Sequence, residues 1–522
     1  MSTHQAPGRG RSMRRSTAVL VIAAALAGPP SALAAPGSSG GSPGFRTSAP
    51  SMLSPAAPGI AASPIITVGD RLPGGYRFEA IPDGIALRAR GNGRLDVYVN
   101  HETSTVPFPY NAAAPTAENS LNDFENSQVS RVALHQRSAG VLHGSLVIPS
   151  SANYQRFCSN FLAGPAEGFD RDVLFTNEEA TDVVNRRGIA WPATPEFGSQ
   201  PQQAGVVVAY DVRNGKYRTI LGMGRLNHEN SVAIPGYPEL AVLTGDDTFS
   251  SNPPSSQLYL YTAPDTSALL ADRGTLWAFR SDDASVDDYY DLTASGPISG
   301  RFIPVPKAVA TGDQTALETW SDENGVFQFI RLEDIAYDRT TPGVVYVADT
   351  GRGSGAAPNG RIYRFELSAG DPRVVEELSI LIDGDPLGLK NPAAIHQPDN
   401  LETTSGSLMI QEDPGTGNQY TAGEPGATTA RIWRYDLATG AMTVVARVDQ
   451  SADPAAKLGA WESSGIVDAS ATYGPGAFLV NVQAHTVFVE TAPGPDLVAP
   501  PGPDWTYKRE SGQMLLLRVP GA

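Results

Sequence analysis

The sequence predicts an all-β protein, a β-propeller of six blades with loop insertions. Three observations carry this. Hairpins built from alternating apolar and polar residues recur along the chain. A further strand precedes most of them and ends in polar or acidic residues. The 53 glycines and 43 prolines follow no fixed period, which is the punctuation of many short strands joined by turns.

Residues 1–34 read as an export signal. Arg9, Arg11, Arg14 and Arg15 form a basic start, Ser16 to Gly28 is apolar but too short to span a membrane permanently, and Ala32-Leu33-Ala34 is a small-x-small cleavage site. The Arg14-Arg15 pair admits twin-arginine export beside the general route, although Ser16-Thr17-Ala18 is not the usual bulky continuation. The expected location is periplasmic or secreted, with no membrane span, because no later stretch holds the roughly 20 apolar residues a spanning helix needs. Residues 35–65 are rich in Gly, Ser, Pro and Ala and nearly uncharged, so a flexible leader is expected there. Residues 66–522 contain no comparable linker and are expected to form one propeller domain, a monomer.

Within that domain the hairpins follow in order: Ser127 to Ile148, Gly205 to Leu221, a start at Ser256 to Thr262, Gly360 to Leu378 and Ala430 to Val448. The strands before them, "DVLFTNEE", "ELAVLTGDD", "GVVYVADTG", "GSLMIQEDP" and "GAFLVNVQAH", are read as the inner strands that face a central channel. Only Pro264 to Gly274 and Val375 to Gly384 tempt a helix assignment, the second partly as strand.

The formal charge is −17, from 55 acidic and 38 basic residues. That argues against a nucleic-acid partner, which needs a basic face, and suits cations, although an acidic surface is also simply soluble. The single cysteine, Cys158, cannot brace an exported chain by an internal disulfide, so it is a packed thiol or a ligand. Carboxylates recur at strand ends: "VNHETS" from Val99, "FTNEEA" from Phe175, "GRLNHE" followed by "LTGDD", "RLED" from Arg331, "WESSG" from Trp461. Strand ends around a propeller channel converge. Unpaired carboxylates brought together there repel until they protonate, and a multivalent cation removes that penalty. Oxygen ligands suit Ca²⁺ or Mg²⁺; a thiolate brings in a transition metal.

Taken in order, "NHET", Cys158 with "LFTNEE", "GRLNHE" with "LTGDD", "RLED" with "VVYVADT", "PDNLETTSGSLMIQED" and "WESSG" with "FLVNVQAH" resemble the PhoX-type alkaline phosphatase family of large exported bacterial proteins. The series spans most of residues 95 to 490. The resemblance implies a six-bladed propeller, a cluster of two Fe³⁺ ions with Ca²⁺ ions, and hydrolysis of small phosphate monoesters. It makes Cys158 an iron-binding thiolate, Glu229 and Glu333 metal ligands, and Arg331 the holder of the phosphate. Glu178 or Glu179 matches an acidic pair, and Asp246, Asp247, Asp413 and Glu462 occupy matching acidic positions. Three departures stand out: Asn177 lies where the family usually has a second cysteine, His485 is displaced by one residue, and Arg156 stands in for an absent lysine upstream of Cys158. They leave metal binding better supported than phosphatase activity.

Two other functions remain open: a calcium-braced propeller acting as a binding scaffold, and a hydrolase of another ester such as a phosphodiester, phytate or lactone. A calcium-only scaffold has no use for the Cys158 thiolate. His101 and His228 are expected to be buried, hydrogen-bonded histidines rather than ligands. Adjacent Glu178 and Glu179 point to opposite sides of a strand, so only one can be a ligand. Asp246 and Asp247 could instead cap a turn, and Arg331 could pair with Glu333 or Asp334.

Overall fold

The computed structural model describes residues 43–102, 108–110, 127–181, 183–184, 202–353, 355–388, 391–414, 427–490 and 506–522. The expected export segment, residues 1–34, lies outside the described residues. The expected leader is corrected from residue 43 onward. It contributes β1 (Leu53–Pro55) and β2 (Ala61–Thr67), which add strands to blades built from the far end of the chain: Leu53 pairs with Val448 and Ala61 with Arg518. Leu53, Ile65 and Ile66 are buried there. Low charge and Gly/Pro/Ser content hide such strands, because their partners lie hundreds of residues away.

The first blade runs β3 (Pro82–Gly91), β4 (Arg94–His101), β6 (Gln128–His135), β7 (Val141–Ile148), with the short β5 (Phe108–Tyr110) set against the last strand of the chain. The second is β8 (Phe157–Ala163), β9 (Val173–Glu178), β12 (Val207–Asp211), β13 (Lys216–Ile220), and β10 (Val183–Val184) and β11 (Gln202–Gln203) form a side ribbon. Next comes a nine-stranded sheet. Its first part is β14 (His228–Ile234), β15 (Leu240–Asp246), β16 (Leu258–Ala263), β17 (Thr275–Ser281) and β18 (Ile298–Pro304). Its second part is β19 (Leu332–Tyr337), β20 (Val344–Asp349), β21 (Arg361–Ser368) and β22 (Asp371–Asp383), joined to the first through β18 and β22. β23 (Pro398–Thr403), β24 (Ser407–Glu412), β25 (Arg431–Asp436) and β26 (Met442–Val448) take β1 as a fifth strand. The last blade is β27 (Glu462–Asp468), β28 (Ala477–Glu490) and β29 (Thr506–Arg518), completed by β2.

This is an all-β propeller, though not one of six separate blades: four stand apart and the nine-stranded sheet is continuous. The strands at its centre are β3, β8, β14, β19, β23 and β27, which contact one another in a closed cycle in which β27 returns to β3. The strands expected to be innermost (β9, β15, β20, β24 and β28) are each the second of their blade. The central strands approach so closely that two positions require glycine. A Cβ on Gly84 would lie 2.4 Å from the Asn160 nitrogen, and one on Gly465, at φ +47°, 2.2 Å from the Asp83 carbonyl oxygen.

Apolar faces of neighbouring blades pack against each other. Phe175, Val207, Val242 and Tyr261 share one core, while Phe279, Phe329, Phe365 and Leu378 share the next. Helices are short: α1 (Thr266–Leu270), α2 (Lys307–Ala310), α3 (Gln314–Glu323) and α4 (Ser470–Tyr473). The first tempting run holds α1, where Asp265 accepts the Ala268 amide at 2.7 Å; the second is strand β22. Among the described residues no helix is long and apolar enough to cross a membrane.

Candidate metal centre

Each central strand brings one ligand-type side chain to the same point near its start: Asp83, Cys158, Glu229, Glu333, Asp399 and Glu462. A local break in the ladder explains how they turn inward. Pairing with the second strand shifts register between Pro82 and Ile85, Phe157 and Asn160, His228 and Ser231, Leu332 and Ile335, and Pro398 and Leu401. In each case the shift spans the acid or thiol. In β27 it falls slightly later, between Ser464 and Ile466. Such bulges release a residue from the ladder and re-aim its side chain.

The second strands add two residues each with divided roles. The last ladder residue is structural. Glu178 accepts the Gln155 amide at 2.8 Å, Asp349 the Ile330 amide at 3.1 Å, and Glu412 the His396 amide at 2.8 Å. Each therefore tethers the loop that leads into the neighbouring central strand. The following residue takes the other side: Glu102, Glu179, Asp247 and Asp413 all sit at this position. Glu102, Glu179 and Asp413 line a cavity of about 540 Å³, together with Arg156, Cys158, Phe249, Arg331, Glu333, Arg352, Asp399, Glu462 and His485.

Four adjacent groups of three could each hold a cation. They are Asp83, Glu102 and Cys158; Cys158, Glu179 and Glu229; Glu229, Glu333 and Asp399; and Asp399, Asp413 and Glu462, with the ligand atoms of each group within 4.8 Å of one another. Cys158, Glu229 and Asp399 are shared between neighbours. The donor set fits cations rather than internal hydrogen bonds. Asp83 Oδ2, Glu229 Oε2 and Asp399 Oδ1 are buried without a hydrogen-bond partner. Burial, compounded by neighbouring acids, holds Glu102, Glu229, Glu333 and Asp399 well above the usual carboxylate range. Burial likewise pushes Glu179 and Glu462 up to about 8 and Asp83 up to about 6. Burial and then Asp83 raise the Cys158 thiol. Multivalent cations would reverse this repulsion.

Arg331 is committed within the protein. Its guanidinium grips Asp247 through Nε at 2.7 Å and Nη2 at 2.8 Å, and Nη2 also donates to Glu333 at 2.7 Å. Asp247 is fully buried, so this fork balances its charge. His485 lies between Glu462 (3.6 Å) and Glu510 (3.4 Å). Burial alone would lower its pKa, but Glu510 and Glu462 hold it well above the usual histidine range.

Of the sequence candidates, Cys158, Glu179, Glu229, Glu333, Asp413 and Glu462 come together in these groups. Glu178, Asp246 and Asp247 do not: Glu178 faces backbone amides, Asp246 accepts the Thr248 hydroxyl at 2.8 Å, and Asp247 pairs with Arg331. Asn177 donates to the Glu229 carbonyl at 3.0 Å, a structural contact. His101 bonds the Glu79 carbonyl and Ser130, His228 bonds Thr244 and the Gly224 carbonyl, and burial lowers them to about 3 and about 4. Asp83, Glu102 and Asp399 were missed. Asp83 and Asp399 share a positional signal, each following a proline that opens a central strand, as Cys158 follows Phe157, while Glu102 follows the last residue of β4 as Glu179 follows the last residue of β9.

No family model matches the sequence, and no curated protein does. Among solved structures, an α-L-arabinofuranosidase from Fusarium graminearum aligns over 88% of this chain and 98% of its own, at 9% identity and a TM-score of 0.37. A Trypanosoma rangeli sialidase mutant displaying trans-sialidase activity covers 89% and 59%, at 11% identity and 0.36. The NanB sialidase of Streptococcus pneumoniae covers 83% and 68%, at 7% identity and 0.35. At these scores the likenesses carry nothing about the chemistry of this chain.

Proposed function

We propose that this protein is an exported, monomeric metal-dependent phosphatase acting on phosphate monoesters, as its resemblance to the PhoX-type family implies. The observation that carries the reading is the convergence of one thiol and eight carboxylates into four contiguous ligand groups around the starts of the central strands. A mixed sulfur and oxygen donor set suits iron beside calcium. Counting the nine-stranded sheet as two blades joined at β18 and β22 gives six blades, one for each central strand, and six equivalent ring positions.

Cys158, Glu229 and Asp399 would be shared ligands, with Asp83, Glu102, Glu179, Glu333, Asp413 and Glu462 completing the groups. Bound there, Fe³⁺ and Ca²⁺ would supply Lewis-acid charge that polarises the phosphate. The chain's own contribution is positive charge and exclusion of water. Arg156 and Arg352 line the cavity and would offer positive charge to a phosphate dianion, and Arg331 fixes Glu333 and Asp247 in place. Hydrolysis joins a water oxygen to phosphorus, breaks the ester P–O bond, and leaves the proton on the departing alcohol.

Elemental analysis of purified protein, followed by assay of the metal-loaded protein on 4-nitrophenyl phosphate, tests this. Iron with calcium and turnover support it. Calcium alone without turnover replaces it with the binding scaffold; iron and calcium without turnover restrict it to another ester.

A further inference from the structure

Among the described residues Phe249 is the one large aromatic side chain in the cavity wall, and it is 41% exposed. A lone exposed aromatic on a surface is ordinary. This one is held in place. The Arg331 guanidinium lies 4.6 Å from its ring centroid, and Arg331 is itself fixed by the fork on Asp247. The chain leading to the ring is pinned as well: the Asp247 amide donates to the Asn227 carbonyl at 2.8 Å, and the Thr248 hydroxyl donates to Asp246 at 2.8 Å. The Arg352 guanidinium stands 5.9 Å from the same centroid. Among the described residues it has no carboxylate partner, in contrast to Arg331.

An apolar ring beside a guanidinium with no carboxylate partner, both in the wall of a cavity that also carries the acidic ligand groups, matches a ligand with two ends. One end is anionic and reaches Arg352 and the ligand groups. The other is planar and apolar and covers Phe249. A ring already immobilised loses little further freedom when it is covered, so its contact area converts efficiently into affinity. We propose that Phe249 and Arg352 are specificity residues selecting aryl phosphomonoesters over aliphatic ones. This rests on the phosphatase reading and narrows its substrate class.

The test uses two non-hydrolysable probes, phenylphosphonate and methylphosphonate, titrated by calorimetry into the metal-loaded full chain. Turnover of phenyl phosphate and glycerol 2-phosphate is measured beside them. The wild type should bind phenylphosphonate about tenfold more tightly, a difference of about 1.4 kcal/mol. Phe249→Ala should reduce that ratio to near one while methylphosphonate binding stays unchanged, and Phe249→Trp should restore it. Arg352→Gln should weaken both probes by the same factor. A wild type that binds neither probe and hydrolyses neither ester removes the phosphatase reading, and this inference with it. Equal binding of both probes by the wild type, or an unchanged ratio in Phe249→Ala, overturns this inference alone.

Discussion

Stripping the centre of cations with a chelator and then raising the pH from about 5 to about 8 should lower the unfolding temperature steadily. Burial, with Asp247 and Asp413 as the acids reinforcing it, moves Glu179 and Glu462 from 4.5 to about 8. A folded pKa above the unfolded one means that folding favours the protonated carboxyl. That contribution is complete below about 4.5 and disappears as the pH climbs through about 8. Each such group costs about 1.4 kcal/mol per pH unit inside the window, hence about 5 kcal/mol across it. A unit of this size unfolds with an entropy of roughly 1 kcal/mol/K, so each glutamate is worth about 5 °C. Asp83, raised from 3.8 to about 6, adds a smaller fall at the acid end. Scanning calorimetry at constant ionic strength reads the effect. With Ca²⁺ and Fe³⁺ restored the fall should vanish, because the carboxylates are then ionised in the folded state. A metal-free midpoint that stays level or rises from pH 5 to 8 refutes the reasoning, as does the same fall in a Glu179→Gln, Glu462→Gln double variant.

Ligand sharing makes a stoichiometric prediction: Glu229→Gln touches two of the four groups and Glu179→Gln one, so elemental analysis should find about twice the metal loss in the first. Equal losses would show that the groups do not act as separate sites. Cys158→Ser should lose iron while keeping calcium and the fold, because a hydroxyl cannot replace the soft thiolate bond; normal iron content would make Cys158 an inert packed thiol. Arg331→Gln leaves the fully buried Asp247 without its fork and should cost about 3–5 kcal/mol in urea denaturation, whereas a loss under about 1 kcal/mol would show that Asp247 is balanced by other groups.

Local pattern made the strands legible and long-range pairing kept the rest hidden. The hairpins from Gly205, Gly360 and Ala430 alternate strictly, and the structure pairs them as β12–β13, β21–β22 and β25–β26. The central strands show less alternation. "HENSVAI" and "PDNLET" are buried along their whole length, with polar residues that bond across the ring: Asn230 reaches Asp334, and Asn400 reaches Ser159 at 3.0 Å. Polar residues buried inside a ring look like loop in a linear reading, which takes the second strand of each blade for the first. At the site, the opposite facing of Glu178 and Glu179 followed from strand geometry alone. The choice between Asp246 and Asp247 did not, because it depends on Arg331, 84 residues away from Asp247.

The recurrence of carboxylates beside strands has two physical origins, and only their separation makes the site intelligible. One acid of a pair, as in Glu178, Asp349 and Glu412, answers a backbone demand: the loop entering each central strand carries an amide that must be satisfied in a buried place. The residue after Glu178 and the one after Glu412, Glu179 and Asp413, line the cavity instead, and the bulged central strands add Glu333, Asp399 and Glu462 to the same wall. Two residues before each ring position lies a further layer: Ile81, Arg156, Asn227, Arg331, Gln397 and Ala460. Arg156, Arg331, Gln397 and Ala460 line the cavity. Arg156 and Gln397 both take left-handed backbone, at φ 39° and 47°, as the chain turns into its strand. The only two cations of this layer, Arg156 and Arg331, therefore stand immediately before β8 and β19, the strands whose ring residues are Cys158 and Glu333. Arg156 and Arg331 thus put positive charge in the cavity wall two residues from the ring positions Cys158 and Glu333, beside the acids that would hold cations.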